Sequence, residues 1–270
     1  MTGSESASVA GLLHRVGQRT VDAVRELGFA ATVVGEALFW LALGPWRRQR
    51  VHLHQIFAEA MEAGVRAIPI VSVLAMTIGV MLAIQGIHTL ETFGAETQVT
   101  TGIALSVVRE FGPLITGILV AGRSGSALAA RIGTMRITQE IDALKVMGIA
   151  PVRFLVTPAL LAMLVMMPCL AFWANALALT GGGLYVSFDL GMSLGAYFDR
   201  IFAVLGSADL LHGLGKSVIF GVLITIVGVV NGAMVSGGAE GVGRAATRAV
   251  VQSISAIVVT DMLFVLVLTR

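Results

Sequence analysis

Charge is scarce in this chain. Asp, Glu, Lys and Arg make up 13% of its 270 residues, about half the share of a soluble domain. Residues 67–90, 154–188 and 217–239 carry none of these side chains, and residues 249–269 carry only Asp261. Cysteine is nearly absent. The single Cys169 lies in an apolar run, which excludes an internal disulfide and a cysteine-based metal site and reads as a small buried hydrophobe.

Catalytic motifs are missing too. GLGKS at 213–217 looks like the end of a phosphate-binding loop, but that pattern needs a glycine at 210, where Leu210 stands, and no strand precedes it. GVGRAA at 241–246 fits a dinucleotide fingerprint in letters only, because it lies between two apolar runs. There is no zinc or hydrolase motif and no internal repeat. The opening MTGSESASVAGLL has neither the basic start nor the apolar core of a signal peptide. A net charge of +2 gives no reason to expect a nucleic-acid partner, since basic residues of membrane proteins mostly report orientation.

What is present is apolar length. Hydrophobic residues are 56% of the chain, with 32 Gly and 12 Met. About 20 apolar residues cross the roughly 30 Å of bilayer hydrocarbon. The four runs above, with the interrupted run 97–122, give five candidate spans. The expected fold class is all-α: a polytopic helical membrane protein with an N-terminal interfacial amphipathic helix, five transmembrane helices, and a cytoplasmic coupling helix between the second and third. The expected division is a 1–50 interfacial segment and a 51–270 transmembrane domain.

Residues 9–27 are amphipathic. Arg15, Gln18, Arg19, Asp22, Arg25 and Glu26 follow helical spacing on one face, and Leu12, Leu13, Val16, Ala23, Val24 and Leu27 take the other. That suits a helix lying in the membrane interface. Residues 27–46 are nearly long enough to span, but Glu36 sits centrally; they continue the interfacial element, form a shallow hairpin, or cross. The segment 47–66 is polar and basic and is expected to stay in water or headgroups.

Loop charges set orientation. Arg47, Arg48, Arg50, Arg66, Arg123, Arg131, Arg136, Lys145, Arg153, Arg244 and Arg248 fall on one side. The other side has Glu91, Glu96, a mixed stretch 189–216 and terminal Arg270. The basic side is therefore expected in the cytoplasm. In the third run, Pro158 and Pro168 are expected to kink the helix and Gly181–Gly183 to end it. Residues 189–212 then read as a short amphipathic helix on the outer side. Gly117, Ala121 and Gly125 are spaced by four, as are Gly228 and Gly232, a spacing that lets helices approach closely in lipid.

Intramembrane charge is the strongest functional signal, because such residues are costly and usually pair or face a cavity. There are four: Arg109, Glu110, Lys216 and Asp261. At about 1.5 Å per residue, Arg109 and Asp261 lie roughly 18 Å deep from opposite faces and Lys216 roughly 9 Å deep, so they can meet as one neutral cluster. That cluster is either a static ion network or a polar element beside a transport path. The second signal is TQEIDALKVMGI at 138–149. Ile141, Leu144 and Met147 form an apolar ridge, Glu140, Asp142 and Lys145 are polar, and Gly148 and Pro151 end the helix. An exposed ridge on a membrane protein without a nucleotide site suits docking of a soluble motor.

Three runs carry a family resemblance: Gln85-Gly86, then AETQVTTGIALSVVREFGPLITGILVAGRSGSALAARIGTMRITQEIDALKVMGI from 95 to 149, and GGAEGVGRAATRAVV from 237 to 251. With Lys216-Ser217 and Asp261, the sequence from about residue 50 onward resembles the MlaE/YrbE family of ABC-transporter permeases, which partner MCE-domain proteins in lipid transport. The resemblance implies a homodimer and an ABC ATPase subunit (MlaF-like) docked at about 138–148. It also implies an MCE-domain subunit (MlaD-like) on the outer side and a STAS-domain accessory subunit (MlaB-like). A phospholipid would bind in an outward-open cavity between the two copies, touching Leu82, Leu90, Phe93 and Phe111. By this resemblance, enterobacterial members are expected to have Tyr and Leu where Phe93 and Phe111 stand, and many members Glu where Lys145 stands.

The implied function is the permease subunit of a transporter moving phospholipid between the inner membrane and its MCE partner, for outer-membrane lipid homeostasis. The chain would be no enzyme and bind no cofactor, with ATP and Mg held by the ATPase. It would be a multi-pass inner-membrane protein, N-terminus cytoplasmic and C-terminus periplasmic. A rival reading is a proton-coupled secondary transporter relaying through Glu110 and Asp261; the missing repeat counts against it.

Overall fold

A computed structural model describes residues 17–18, 20–21, 24–26, 28–37, 39–40, 53–95 and 98–268. Contacts divide the chain into two units, 1–50 and 51–270. In the first, every described residue is helical, and the Trp40 indole donates to the Glu36 carboxylate at 3.5 Å. Of the amphipathic 9–27 stretch, residues 9–16, 19, 22, 23 and 27 lie outside the described residues, as do residues 38 and 41–46 of the segment that follows.

In the second unit five helices are long and apolar enough to cross a membrane. They are Leu53–Glu91, Val99–Ile137, Val152–Leu190, Ser207–Ala233 and Gly238–Val267, here spans one to five. Among the described residues there is no strand. Span one joins α1 (Leu53–Ala63), a 3-10 turn and α2 (Ile68–Glu91). The helix thus begins well before the charge-free window: residues 53–66, expected in water or headgroups, are continuous with it. Span two joins α3 (Val99–Ser106), α4 (Gly112–Val120) and α5 (Ser126–Ile137) through π-helical turns at Val107–Phe111 and Ala121–Gly125. The short α6 (Glu140–Val146) follows. Span three is a π turn plus α7 (Thr157–Leu190), then comes α8 (Leu194–Val204). Spans four and five are α9 (Ser207–Ala233) and α10 (Gly238–Leu268).

Packing explains where this departs from expectation. Helices in lipid are held by close van der Waals fit, not by a hydrophobic drive. Gly181–Gly183 do not end span three; α7 runs through them to Leu190. They are small because neighbours press on them. A Cβ at Gly79 would overlap the Ala178 carbonyl, and one at Gly181 would lie 2.5 Å from the Met76 carbonyl oxygen, so spans one and three touch main chain to main chain. At Gly183 a Cβ would come within 2.7 Å of the Tyr197 ring of α8. Tyr197 is fully buried, and burial pushes its phenol above the ordinary range. Pro158 does not kink α7 but sits in its first turn, where proline is tolerated; Pro168 is the internal one. Cys169 is exposed, not buried, on the outside of the same helix.

The small residues of spans two and four face each other. A Cβ at Gly228 would lie 3.1 Å from the Gly125 carbonyl oxygen, and one at Gly232 2.7 Å from that of Ala129. Phe220, Ile224 and Ile257 fill the adjoining core. Span five is the outlier. Only 11% of its apolar window is buried within the chain, against 50–56% for spans two to four.

Candidate functional site

The π turn Val107–Phe111 carries Arg109 and Glu110. A π turn holds one residue more than an α turn and is frequent at functional sites. Here it is wedged. A Cβ at Gly112 would overlap Asn175 Oδ1 of span three, and one at Gly213 of span four would overlap the Val108 carbonyl. Asn175 is 3% exposed, and neither of its amide atoms has a hydrogen-bond partner among the described residues.

From this fixed turn the two charges part company. The Arg109 guanidinium turns to Asp209, donating from Nε to Oδ1 at 2.6 Å. Glu110 turns to Lys216, whose ammonium donates to Oε2 at 2.5 Å. The same Lys216 Nζ is 3.0 Å from Asp261 Oδ1 of span five. The Lys216 side chain is fully buried, that of Asp261 is 13% exposed and that of Glu110 33%. Spans two, four and five are thereby joined at one ammonium. One turn before it, the His212 ring packs edge-on against Phe264 of span five at 6.1 Å.

The expected single neutral cluster is therefore corrected. Arg109 belongs to a separate pair, and the two groups together hold two cations and three carboxylates, one negative charge in excess. Asp209 is the residue missed. Assigning 189–212 to an outer amphipathic helix hid it, yet α9 begins at Ser207. The available signal was spacing: Asp209 and Lys216 are seven residues apart, two helical turns, and so share a face. Burying an ammonium is costly unless it is paired, and removing its partners leaves that cost uncovered.

Of the four expected lipid contacts, Leu82 and Leu90 line a common groove of about 290 Å³ between spans one and two, with Gln85, Thr89, Val99 and Ser106. Phe93 and Phe111 are not in it; they stand 79% and 37% exposed on the surface of the chain. The ridge expected on α6 is also different. Ile141 and Leu144 are each 8% exposed and pack inward, while Val146 and Met147 project at 89% and 64%. The exposed residues of α6 are thus Glu140, Asp142, Ala143, Lys145 and Val146, with Met147 just past its end. Gln139 opens it in the left-handed region at φ 62°. A hydrogen bond from Lys145 at 3.0 Å holds the Asp142 carboxyl below the usual carboxylate range.

Five apolar helices, three of them joined at a buried ammonium, with an apolar groove alongside, define a polytopic helical membrane protein. The comparison with known families makes that specific: the family model described as Permease MlaE matches residues 56–267, and the chain belongs to that family. A probable ABC transporter permease of Rickettsia prowazekii is 34% identical over 253 residues, covering 93% of this chain and 95% of its own length. The intermembrane phospholipid transport system permease protein MlaE of Haemophilus influenzae is 32% identical over 246 residues, covering 91% and 92%. A probable ABC transporter permease of Synechocystis is 32% identical over 212 residues, covering 78% and 81%.

Proposed function

We propose that the chain is the membrane subunit of an ABC transporter that moves phospholipid between the inner membrane and an MCE-domain partner. The observation that carries this reading is the match over residues 56–267 to a permease family, which includes a named phospholipid transport permease as a 32% identical relative. The basic end faces the cytoplasm. There the exposed Glu140, Asp142, Val146 and Met147 of α6 meet the ATPase, which holds ATP and Mg, while buried Ile141 and Leu144 transmit its movement into span two. The MCE-domain subunit sits at the opposite end, and a STAS-domain subunit assists the ATPase.

A second copy covers span five. Its nearly unburied apolar window supports this, as does the exposure of Phe93 and Phe111. With Leu82 and Leu90 these two then line the lipid path, and the Glu110–Lys216–Asp261 junction anchors the helices that form its wall. The test is reconstitution with the co-expressed ATPase and MCE subunits. ATP-dependent transfer of labelled phospholipid between vesicles is expected, lost on charge reversal of Glu140 and Asp142 together. Transfer that persists without the ATPase and follows a proton gradient would replace this reading with the secondary-transporter one.

A further inference from the structure

A well-bounded chamber outside the charge network lies at the basic end, among spans one, two and three. It holds about 440 Å³ and is lined by Glu59 and Glu62 of α1, Arg123, Ser124, Leu128 and Arg131 of span two, and Ala159 and Met163 of span three. Its floor is apolar: Ala63, Leu128, Ala159 and Met163 are all buried. Its rim is charged in both signs. Arg131 Nη2 is 2.6 Å from Glu59 Oε1, and Arg123 Nη2 is 3.5 Å from Glu62 Oε1. Arg123 also donates to the Glu62 carbonyl at 2.7 Å, and Ser124 Oγ donates to that of Ala63 at 3.1 Å. The wall is closely packed, because a Cβ at Gly64 would run into the Met166 side chain of span three.

Simple bracing of α1 explains the pairs but not the space between them. A guanidinium offers five N–H donors, and the contacts above leave several on each arginine free. Both arginines remain partly open, at 34% and 41% side-chain exposure. Arginine forks match phosphate oxygens in geometry as well as charge, and carboxylates on the same rim accept from an amine or a hydroxyl. An apolar floor below such a rim suits the first carbons of an acyl chain. At a bilayer boundary the molecules at hand with this order of parts are glycerophospholipids.

We propose that this chamber seats the phosphate-bearing headgroup of a glycerophospholipid from the leaflet at the basic end, a site separate from the Leu82–Leu90 groove. The proposal rests on the permease reading only for which leaflet supplies the lipid. The phosphate lies against Arg123 and Arg131, the amine or glycerol hydroxyls toward Glu59 and Glu62, and the acyl start over Ala159 and Met163.

The test uses the full chain, co-expressed with its transport partners and placed in vesicles of equal parts phosphatidylethanolamine and phosphatidylglycerol. A photo-crosslinking residue replaces exposed Ala127 on the chamber wall. Labelling of Ala127 by phospholipid is expected. Arg131→Gln should lower it on the order of tenfold, the worth of one charge-assisted hydrogen bond. Ala159→Leu, which fills the floor and leaves every rim charge in place, should lower it as well. Leu82→Trp, which fills the other groove, should leave it unchanged. No labelling at 127, labelling indifferent to both chamber variants, or labelling lost with Leu82→Trp would each overturn the site. Absence of phospholipid labelling together with protection of Arg131 from phenylglyoxal by inorganic phosphate would assign the site to a free anion and overturn the lipid assignment. Transfer measured on the same preparation keeps the two readings apart. Transfer without labelling sinks only this site, and labelling without transfer sinks only the transport function.

Discussion

Span two carries two charged stations, and they contrast sharply. At Val107–Phe111 the chain is wedged between Asn175 and Gly213, and its Glu110 meets an ammonium with no exposure at all. At Ala121–Arg131 the chain has a second π turn, and its Arg123 and Arg131 meet carboxylates while staying a third or more exposed. The bonds are of one kind, but the surroundings differ. A buried pair is strongly destabilising when half of it is removed, whereas a surface pair is worth little either way. Losing the partners of the fully buried Lys216 should therefore cost more than losing those of Arg123 or Arg131.

That contrast can be broken from the deep end first. Lys216→Met strips Glu110 and Asp261 of their shared cation and should cost about 3–5 kcal/mol, read as a lowered midpoint of thermal unfolding in detergent. Adding Glu110→Gln and Asp261→Asn should return most of it. If the triple variant is no more stable than the single one, the network is not what the lysine supports. Gly213→Ala comes next. Its methyl would overlap the Val108 carbonyl and press on Pro113, and overpacking of this kind costs about 1–3 kcal/mol. An unchanged midpoint would show the wedge to be loose. At the shallow end Glu59→Gln should change stability by about 1 kcal/mol or less; a loss as large as that of Lys216→Met would erase the distinction between the stations.

The smallest effect is one of pH. Asp142 titrates below its ordinary value of 3.8, so its folded pKa is depressed. Its contribution to α6 is present above that value and disappears only as pH falls through the lowered one. Binding of the ATPase should therefore be flat in Asp142 ionisation across neutral pH, and Asp142→Asn should weaken it equally at pH 6 and pH 8. A difference between those two conditions would show that Asp142 titrates there.

Much of this fold is visible in the distribution of charge. Three windows without charge, one with Asp261 alone and one interrupted by Arg109 and Glu110 mark five spans, because an apolar stretch of that length has few other uses. What stayed hidden depends on contact. Gly181–Gly183 look like a terminator, since glycine serves turns and close packing alike; only the neighbouring Met76 and Tyr197 tell which. Asp209 was concealed by a boundary drawn a few residues late. The π turns leave no mark in a periodicity of 3.6, so the separate aims of Arg109 and Glu110 were not readable. The α6 ridge was seen, but its own chain covers Ile141 and Leu144.

The meeting of spans one and three at Gly79 and Gly181 has a practical consequence. Main chain against main chain leaves no lateral play, so this pair of helices is a built-in ruler. Spectroscopic labels on its outward faces, at Val73 and Val165, should keep one separation through a full transport cycle. Every other distance in the molecule could then be measured against it.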